Sequence, residues 1–224
     1  MTRARTISRS TLWLVLAILG LVGFGAMTVL VANHQTDALD KPLLAAAVQA
    51  GSGLDGLWNA LSTFGNYPMI PIAIAFVLWL IWTKERREAL VVIAILVVVS
   101  VATELVKGGV ARERPLGSAP AILGLIYSFP SGHSLEDVMI LGMVAVRLWR
   151  SGQPGWLKVG VALLVVVESI LVGFARLALQ VHYPSDILAG YFGGLAALGT
   201  YAWLTRPGSW AARAGPIRAR RGHP

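Results

Sequence analysis

The sequence predicts an all-α fold, a six-transmembrane helical bundle with its reactive groups gathered at the outer membrane face. Three observations predict it. The 224 residues are 56% hydrophobic and only 13% charged, where soluble domains run near a quarter charged, and the mean hydropathy is +0.68. Apolar runs recur at lengths that suit a bilayer crossing. The basic residues collect at the two ends and in short connections between those runs, as orientation signals do.

The first run spans Thr11–Ala32. Arg3, Arg5 and Arg9 precede it, as they would in a secretory signal. It is too long for an ordinary h-region and has no small-x-small cleavage site before Asn33, so it reads as a retained helix. Tyr67–Thr83, Ala89–Val106, Ser134–Arg150, Trp156–Ala175 and Ile187–Leu204 follow, and most meet the requirement of about 17–25 residues. In the fourth run Glu136, Asp137 and Arg147 leave a short clean apolar stretch. Alone it would suit an interfacial helix; it counts as a span because an odd number would spoil the charge pattern.

The connection from Asn33 to Asn66 is long and semi-apolar. Asp40-Lys41-Pro42 looks like a helix start with Asp40 as its cap. The stretch suits short amphipathic helices along the membrane surface or a plain ordered loop. Residues 1–10 form a basic N-terminal segment, 11–205 one membrane domain, and 206–224 a basic Arg-, Gly- and Pro-rich tail expected to be disordered. The tail would touch anionic lipid heads at most. No internal repeat is visible.

With six spans and the N-terminus inside, 14 of the 19 Lys and Arg residues fall on inside segments. Both termini are then cytoplasmic. The outside holds Lys41, Lys107, Arg112, Arg114 and Arg176, and four of these five lie in Lys107–Arg114 and at Arg176. The formal charge of +8 is therefore no nucleic-acid footprint, since no basic face with interleaved aromatics exists. The absence of cysteine excludes disulfides and thiolate metal sites. Arginine far outnumbers lysine, which reads as a GC-rich genome.

Three stretches fall on the outside. They are Lys107-Gly-Gly-Val-Ala-Arg-Glu-Arg114-Pro115, Pro130-Ser131-Gly132-His133, and Arg176 with His182 and Asp186. Lys107, Arg114 and Arg176 are fixed cations; arginine matches phosphate oxygens as a fork and lysine as a point charge. Ser131 is a natural helix N-cap, and Gly132 lets a ligand approach the backbone. Free N–H groups at such a terminus attract anions. Pro184 suits a first helical turn, which places Asp186 in that turn and His182 just ahead of it. A carboxylate that holds one imidazole proton leaves the other nitrogen free to attack. His133 remains as the general acid.

These stretches resemble the tripartite signature of the type 2 phosphatidic acid phosphatase family: K-x6-RP, PSGH and SR-x5-H-x3-D. The resemblance implies a membrane lipid phosphatase with no cofactor and no metal, whose His182 becomes a phosphohistidine. Asp186 would orient it and His133 would protonate the leaving group. Lys107, Arg114, Ser131, Gly132 and Arg176 would hold the phosphate. Its partners would be the bilayer and a lipid phosphate or diphosphate, with undecaprenyl diphosphate first and phosphatidylglycerophosphate and phosphatidic acid behind. Its place would be a bacterial cytoplasmic (inner) membrane. Phosphotransfer to another acceptor is a second reading, and a non-enzymatic membrane transport protein a third.

The sequence departs from the signature at Ala175, where a serine usually precedes the arginine. Glu136 and Asp137 stand where small or apolar residues are expected; they would repel an anionic substrate, recruit a cationic group, or simply complement the helix dipole. Glu168 lies mid-span, where a carboxylate points to function by default, either in a headgroup pocket or paired with a neighbouring helix. Glu104 sits one turn before Lys107 and suits a salt bridge. His34 and His223 read as solvated. Zinc held by His133, His182 and Asp186 would meet repulsion from three cations. Gly132-His133-Ser134-Leu135-Glu136 lacks the second glycine of a nucleophile elbow.

Overall fold

The computed structural model describes residues 9–64, 68–116 and 127–209, all helix and connection with no strand among them. The helices are α1 (Arg9–Ala32), α2 (Asp37–Gly51), α3 (Asp55–Phe64), α4 (Met69–Trp82), α5 (Arg86–Val110), α6 (Gly132–Glu136), α7 (Gly142–Trp149), α8 (Gly155–Ala178) and α9 (Pro184–Leu204). A π-helical segment, Asp137–Leu141, joins α6 to α7. Most of the basic N-terminal segment 1–10 and of the tail 206–224, His223 included, lies outside the described residues.

Six helical segments stand where the apolar runs place them. Four are long and apolar enough to cross a membrane: Ser10–Ala32, Arg86–Val110, Gly155–Ala178 and Pro184–Leu204. The second run forms a helix of 14 residues, about 21 Å long at 1.5 Å per residue. That falls short of a hydrocarbon core of about 30 Å. The fourth run is the interrupted α6–π–α7 helix. Leu21, Val22, Leu163 and Leu164 are each at least 60% exposed, which only a lipid solvent makes reasonable.

Helices α1 and α9 touch backbone to backbone. A Cβ on Gly20 would lie 2.5 Å from the Ala196 nitrogen, and one on Gly199 would lie 2.5 Å from the Ala17 nitrogen. Small residues allow this approach in lipid, where packing replaces the hydrophobic drive. The apolar core gathers Met69, Phe76 and Leu80 of α4, Val91, Val92 and Ile95 of α5, Leu135, Met139, Ile140, Met143 and Val146 of the α6–π–α7 helix, and Tyr201 and Ala202 of α9. At this end of the bundle Tyr201 donates to Glu88, and Arg147 lies 3.6 Å from Glu85 and 3.6 Å from Glu88. Arg150 donates to the carbonyls of Ala202 and Thr205, at 2.7 and 3.2 Å, closing the C-terminus of α9 as basic side chains do. Arg147 and Arg150 thus have packing partners of their own, beyond the charge pattern that the sequence suggests.

The described part of the connection, residues 33–64, forms helices α2 and α3. Trp58 of α3 meets Phe174 of α8 edge to face at 5.0 Å and donates to the Gly51 carbonyl. Asp40 is not the cap expected of it. The helix begins at Asp37, Pro42 lies inside it, and Asp40 is buried at 2% exposure. Its carboxylate turns inward because an arginine and a serine from distant segments wait there.

Candidate active site

The three motif-bearing stretches meet at one end of the bundle. Helix α5 stops where Ala111 takes a left-handed conformation, φ 50°, which turns the chain across the bundle end. Lys107, in the last turn, lies 2.9 Å from Glu104, as the spacing anticipates. Arg114 donates to the carbonyls of Val181 and Tyr127, at 2.9 and 3.4 Å. This ties the first stretch to the third.

The second stretch is held against α9. Ser131 is fully buried and caps α6 by accepting from the Ser134 backbone N–H at 3.5 Å. Its own N–H donates to the Asp186 carbonyl at 3.1 Å. A Cβ on Gly190 would sit 2.7 Å from the Ser131 carbonyl oxygen, so that glycine is what lets α9 come this close. Nothing lies within 4 Å of where a Cβ on Gly132 would be, which leaves that side open to a ligand.

The third stretch supplies the imidazole and its carboxylate. Asp186, fully buried, accepts from the Tyr183 backbone N–H at 2.8 Å, the reciprocal half of a capping arrangement. Nδ1 of His182 lies 3.5 Å from the Asp186 carboxylate. That is long for a hydrogen bond and within reach of an ion pair when the ring is charged. Burial pushes the His182 imidazole down to about 4, against the upward pull of Asp186, and Arg176 and Arg114 add to the lowering. Arg176, in the last turn of α8, donates to the Ser62 hydroxyl of α3, and its Nε is buried without a partner.

His133 faces the same space. Its Nε2 is buried with no partner. Burial first, then Arg176, His182, Arg114 and Lys107, push its pKa down to about 2. Lys107, Arg114 and Arg176 thus make a cationic chamber around two imidazoles whose pKa values are both held below the ordinary histidine value. Among the described residues no three His, Cys, Asp or Glu side chains stand together as a metal-binding group.

All eight predicted site residues therefore converge. The structure adds Arg112, Asp40, Ser185 and Ser62. Arg112 donates to Asp186 and Asp40, each at 2.7 Å. It had been counted among the outside cations without a role, and nothing local distinguished it from Arg114. Ser62 carried no signal at all. Asp137 is fully buried, and neither of its oxygens has a partner. It lies within electrostatic reach of Glu168, Glu136 and Arg176, rather than on a surface complementing the dipole. Both oxygens of Glu168 are likewise buried and unpartnered.

A groove of about 450 Å³ leads away from the site between α4, α5 and the α6–π segment. Ile74, Val77, Leu96 and Met139 line its apolar length. Lys107, Glu104, Gly132 and Glu136 form its polar end. Lys107 and Gly132 thus belong to both the chamber and the groove.

The chain is similar to several known proteins. A family model described as PAP2 superfamily matches residues 88–209. The chain is 29% identical over 171 residues to a protein named undecaprenyl-diphosphatase from Sulfolobus acidocaldarius, covering 74% of each chain. It is 25% identical over 130 residues to phosphatidylglycerophosphatase B of Bacillus subtilis, covering 57% of this chain and 63% of that one. A crystal structure of a transmembrane PAP2 type phosphatidylglycerolphosphate phosphatase from Bacillus subtilis superposes with a TM-score of 0.70 at 20% identity, covering 83% of this chain and 93% of that chain.

Proposed function

The chain belongs to the PAP2 superfamily, and from that premise we propose that it is an integral-membrane, metal-independent phosphatase that hydrolyses a lipid phosphate or diphosphate through a phosphohistidine. The observation that carries this reading is the cationic chamber opening into an apolar groove. The chamber suits a phosphate, and the groove suits the tail attached to it. Among lipids we favour undecaprenyl diphosphate, in line with the name of the relative that matches over 74% of this chain. Phosphatidylglycerophosphate is the second reading, supported by the Bacillus relative.

In the proposed reaction Lys107, Arg114, Arg176 and the first-turn N–H groups after Ser131 and Gly132 bind the phosphoryl oxygens. Lys107 leaves Glu104 for the substrate. Asp186 holds the proton on Nδ1 of His182, and the other ring nitrogen attacks phosphorus. A P–N bond forms as the P–O bond to the lipid breaks, and the leaving oxygen takes a proton from His133. Water then attacks the phosphohistidine, giving a proton to His133, and inorganic phosphate leaves. We place all six helical segments across the bilayer of a bacterial cytoplasmic membrane, the short α4 by local thinning of the bilayer around it, with both termini cytoplasmic and the site on the outer face. The positive-inside bias supports that orientation. So do Trp82, Trp149 and Trp156, each at least 51% exposed at the end away from the site, where an aromatic belt would lie.

The test is phosphate release from a panel of lipid phosphates by detergent-solubilised protein. Release is expected to persist in excess EDTA, because the phosphate is held by side-chain cations and backbone N–H groups. Vanadate is expected to inhibit, since its trigonal-bipyramidal form resembles the transition state. Loss of release in EDTA that a divalent ion restores would contradict the mechanism.

The same site sets the pH dependence. Attack requires neutral His182, and with a pKa lowered to about 4 that condition is met at all higher pH. His133, lowered to about 2, is a neutral imidazole at neutral pH, so the acidic proton it passes to the leaving oxygen is not its own. The proton must arrive with the substrate, as the monoanion of a phosphomonoester whose second ionisation lies near about 6. On a phosphomonoester, kcat/KM is therefore expected to hold level from about pH 4 to about 6 and to fall above. A kcat/KM that climbs through pH 8 would show that the dianion is the true substrate.

A further inference from the structure

We propose that Asp40 and Arg112 are positioning residues for the Asp186–His182 pair, so that helix α2, outside the three signature stretches, is part of the catalytic apparatus. The inference rests on the proposed reaction and deepens it. One nitrogen of the Arg112 guanidinium donates to Asp186 at 2.7 Å and to Ser185 at 2.7 Å. The other donates to Asp40 at 2.7 Å. The guanidinium carbon lies 4.0 Å from the centre of the Tyr183 ring. Asp40, 2% exposed, also accepts from the Ser185 N–H at 2.9 Å and from its hydroxyl. Asp37 lies 3.6 Å from Arg112 on the outer, more exposed side. Segments 72 and 145 residues apart in sequence meet here.

The charge order explains why three groups are used rather than one. A lone guanidinium beside Asp186 would compete with the imidazole for the carboxylate and would oppose positive charge on a phosphohistidine. Asp40 on the other prong offsets that cation. The set Asp40–Arg112–Asp186 then presents one net negative charge to His182, with the carboxylate oxygens fixed by the fork and by Tyr183. Arginine suits this because its rigid fork spans two carboxylates, which an ammonium cannot do. His182 also faces Arg176 from α8, Arg114 from the connection after α5 and His133 from α6. None of these is altered in the variants below.

The test uses the full chain in detergent, with kcat and KM measured across pH on the lipid phosphate the wild type releases fastest. Arg112→Gln removes a cation, so the acid limb of kcat is expected to move up. Asp40→Asn removes an anion, so it is expected to move down. In both, kcat is expected to fall about 10²-fold, the scale of a small misplacement, with KM little changed. Arg112→Lys is expected to restore the limb but only part of kcat. Asp37→Asn, on the exposed side, is expected to shift the limb in the direction of Asp40→Asn by less, and it decides the matter if Asp40→Asn fails to fold. Limbs that stay put while melting temperatures drop would overturn the inference and make the cluster a structural tie. A raised KM at unchanged kcat would overturn it in favour of substrate binding. Failure of the underlying reading shows separately, as wild-type protein that releases no phosphate. The opposed shifts are then sought in the His182 ring titration of isotope-labelled protein, and their absence there overturns the inference too.

Discussion

Replacing Asp186 by asparagine is expected to cost on the order of 10⁴ in turnover, the scale seen when a carboxylate that orients a catalytic imidazole is neutralised. His182→Ala is expected to leave no phosphate release on any substrate. The two losses differ in kind. Asp186 accepts from Tyr183 N–H at 2.8 Å and from Arg112 at 2.7 Å, and lies 3.5 Å from His182 Nδ1. An asparagine amide placed there can donate to Nδ1, which favours the tautomer whose proton blocks the attacking nitrogen. It also leaves Arg112 facing a neutral group. His182→Ala removes the nucleophile itself, so there is nothing to rescue. Full release by Asp186→Asn at neutral pH would show that the carboxylate anchors the α9 turn and nothing more.

The second large effect separates the imidazoles. His133→Ala is expected to keep a much larger fraction of wild-type rate on an activated aryl phosphate such as p-nitrophenyl phosphate than on an alkyl lipid phosphate such as phosphatidic acid. A diphosphate, whose leaving group is itself a phosphate, is expected to fall between. General acid catalysis contributes about 10²–10⁴-fold where the leaving oxygen is basic, and an aryl oxide needs little help. The unpartnered, buried Nε2 of His133 has no structural bond to lose, which makes the substitution a fair test. Equal fractional losses on the two esters, with chemistry rate-limiting, would assign His133 to binding the phosphate or to the water step.

The residues proposed to carry the chemistry were legible because their spacings are local. Lys107 to Arg114, Ser131 to His133 and His182 to Asp186 each lie within eight consecutive residues, so sequence distance bounds spatial distance. The helix ends were legible for the same reason. Ser131 caps α6, and Pro184 opens α9. The supporting residues were not. Asp40 pairs with Ser185 across 145 positions and with Arg112 across 72. Asp40-Lys41-Pro42 offered a local use for the carboxylate, and tertiary partners displaced it. The contact between Ser62 and Arg176 depends on how α3 lies on α8, which no periodicity encodes. The burial of Asp137 depends likewise on the packing of the π-helical turn against α8 and α9. Hydropathy found six apolar helices but not their lengths, so the 14-residue α4 was read as longer than it is.

The central claim is that the phosphoryl group passes through His182. Rapid acid-free quenching of the wild type during turnover of a lipid phosphate, followed by mass spectrometry of the peptide containing residues 177–190, tests it most directly. Phosphate is expected on His182, labile to acid and stable to base, absent in His182→Ala, and still formed from an aryl phosphate in His133→Ala. Phosphate on any other residue, or steady turnover by wild type with no phosphorylated protein at the shortest quench times, would contradict it.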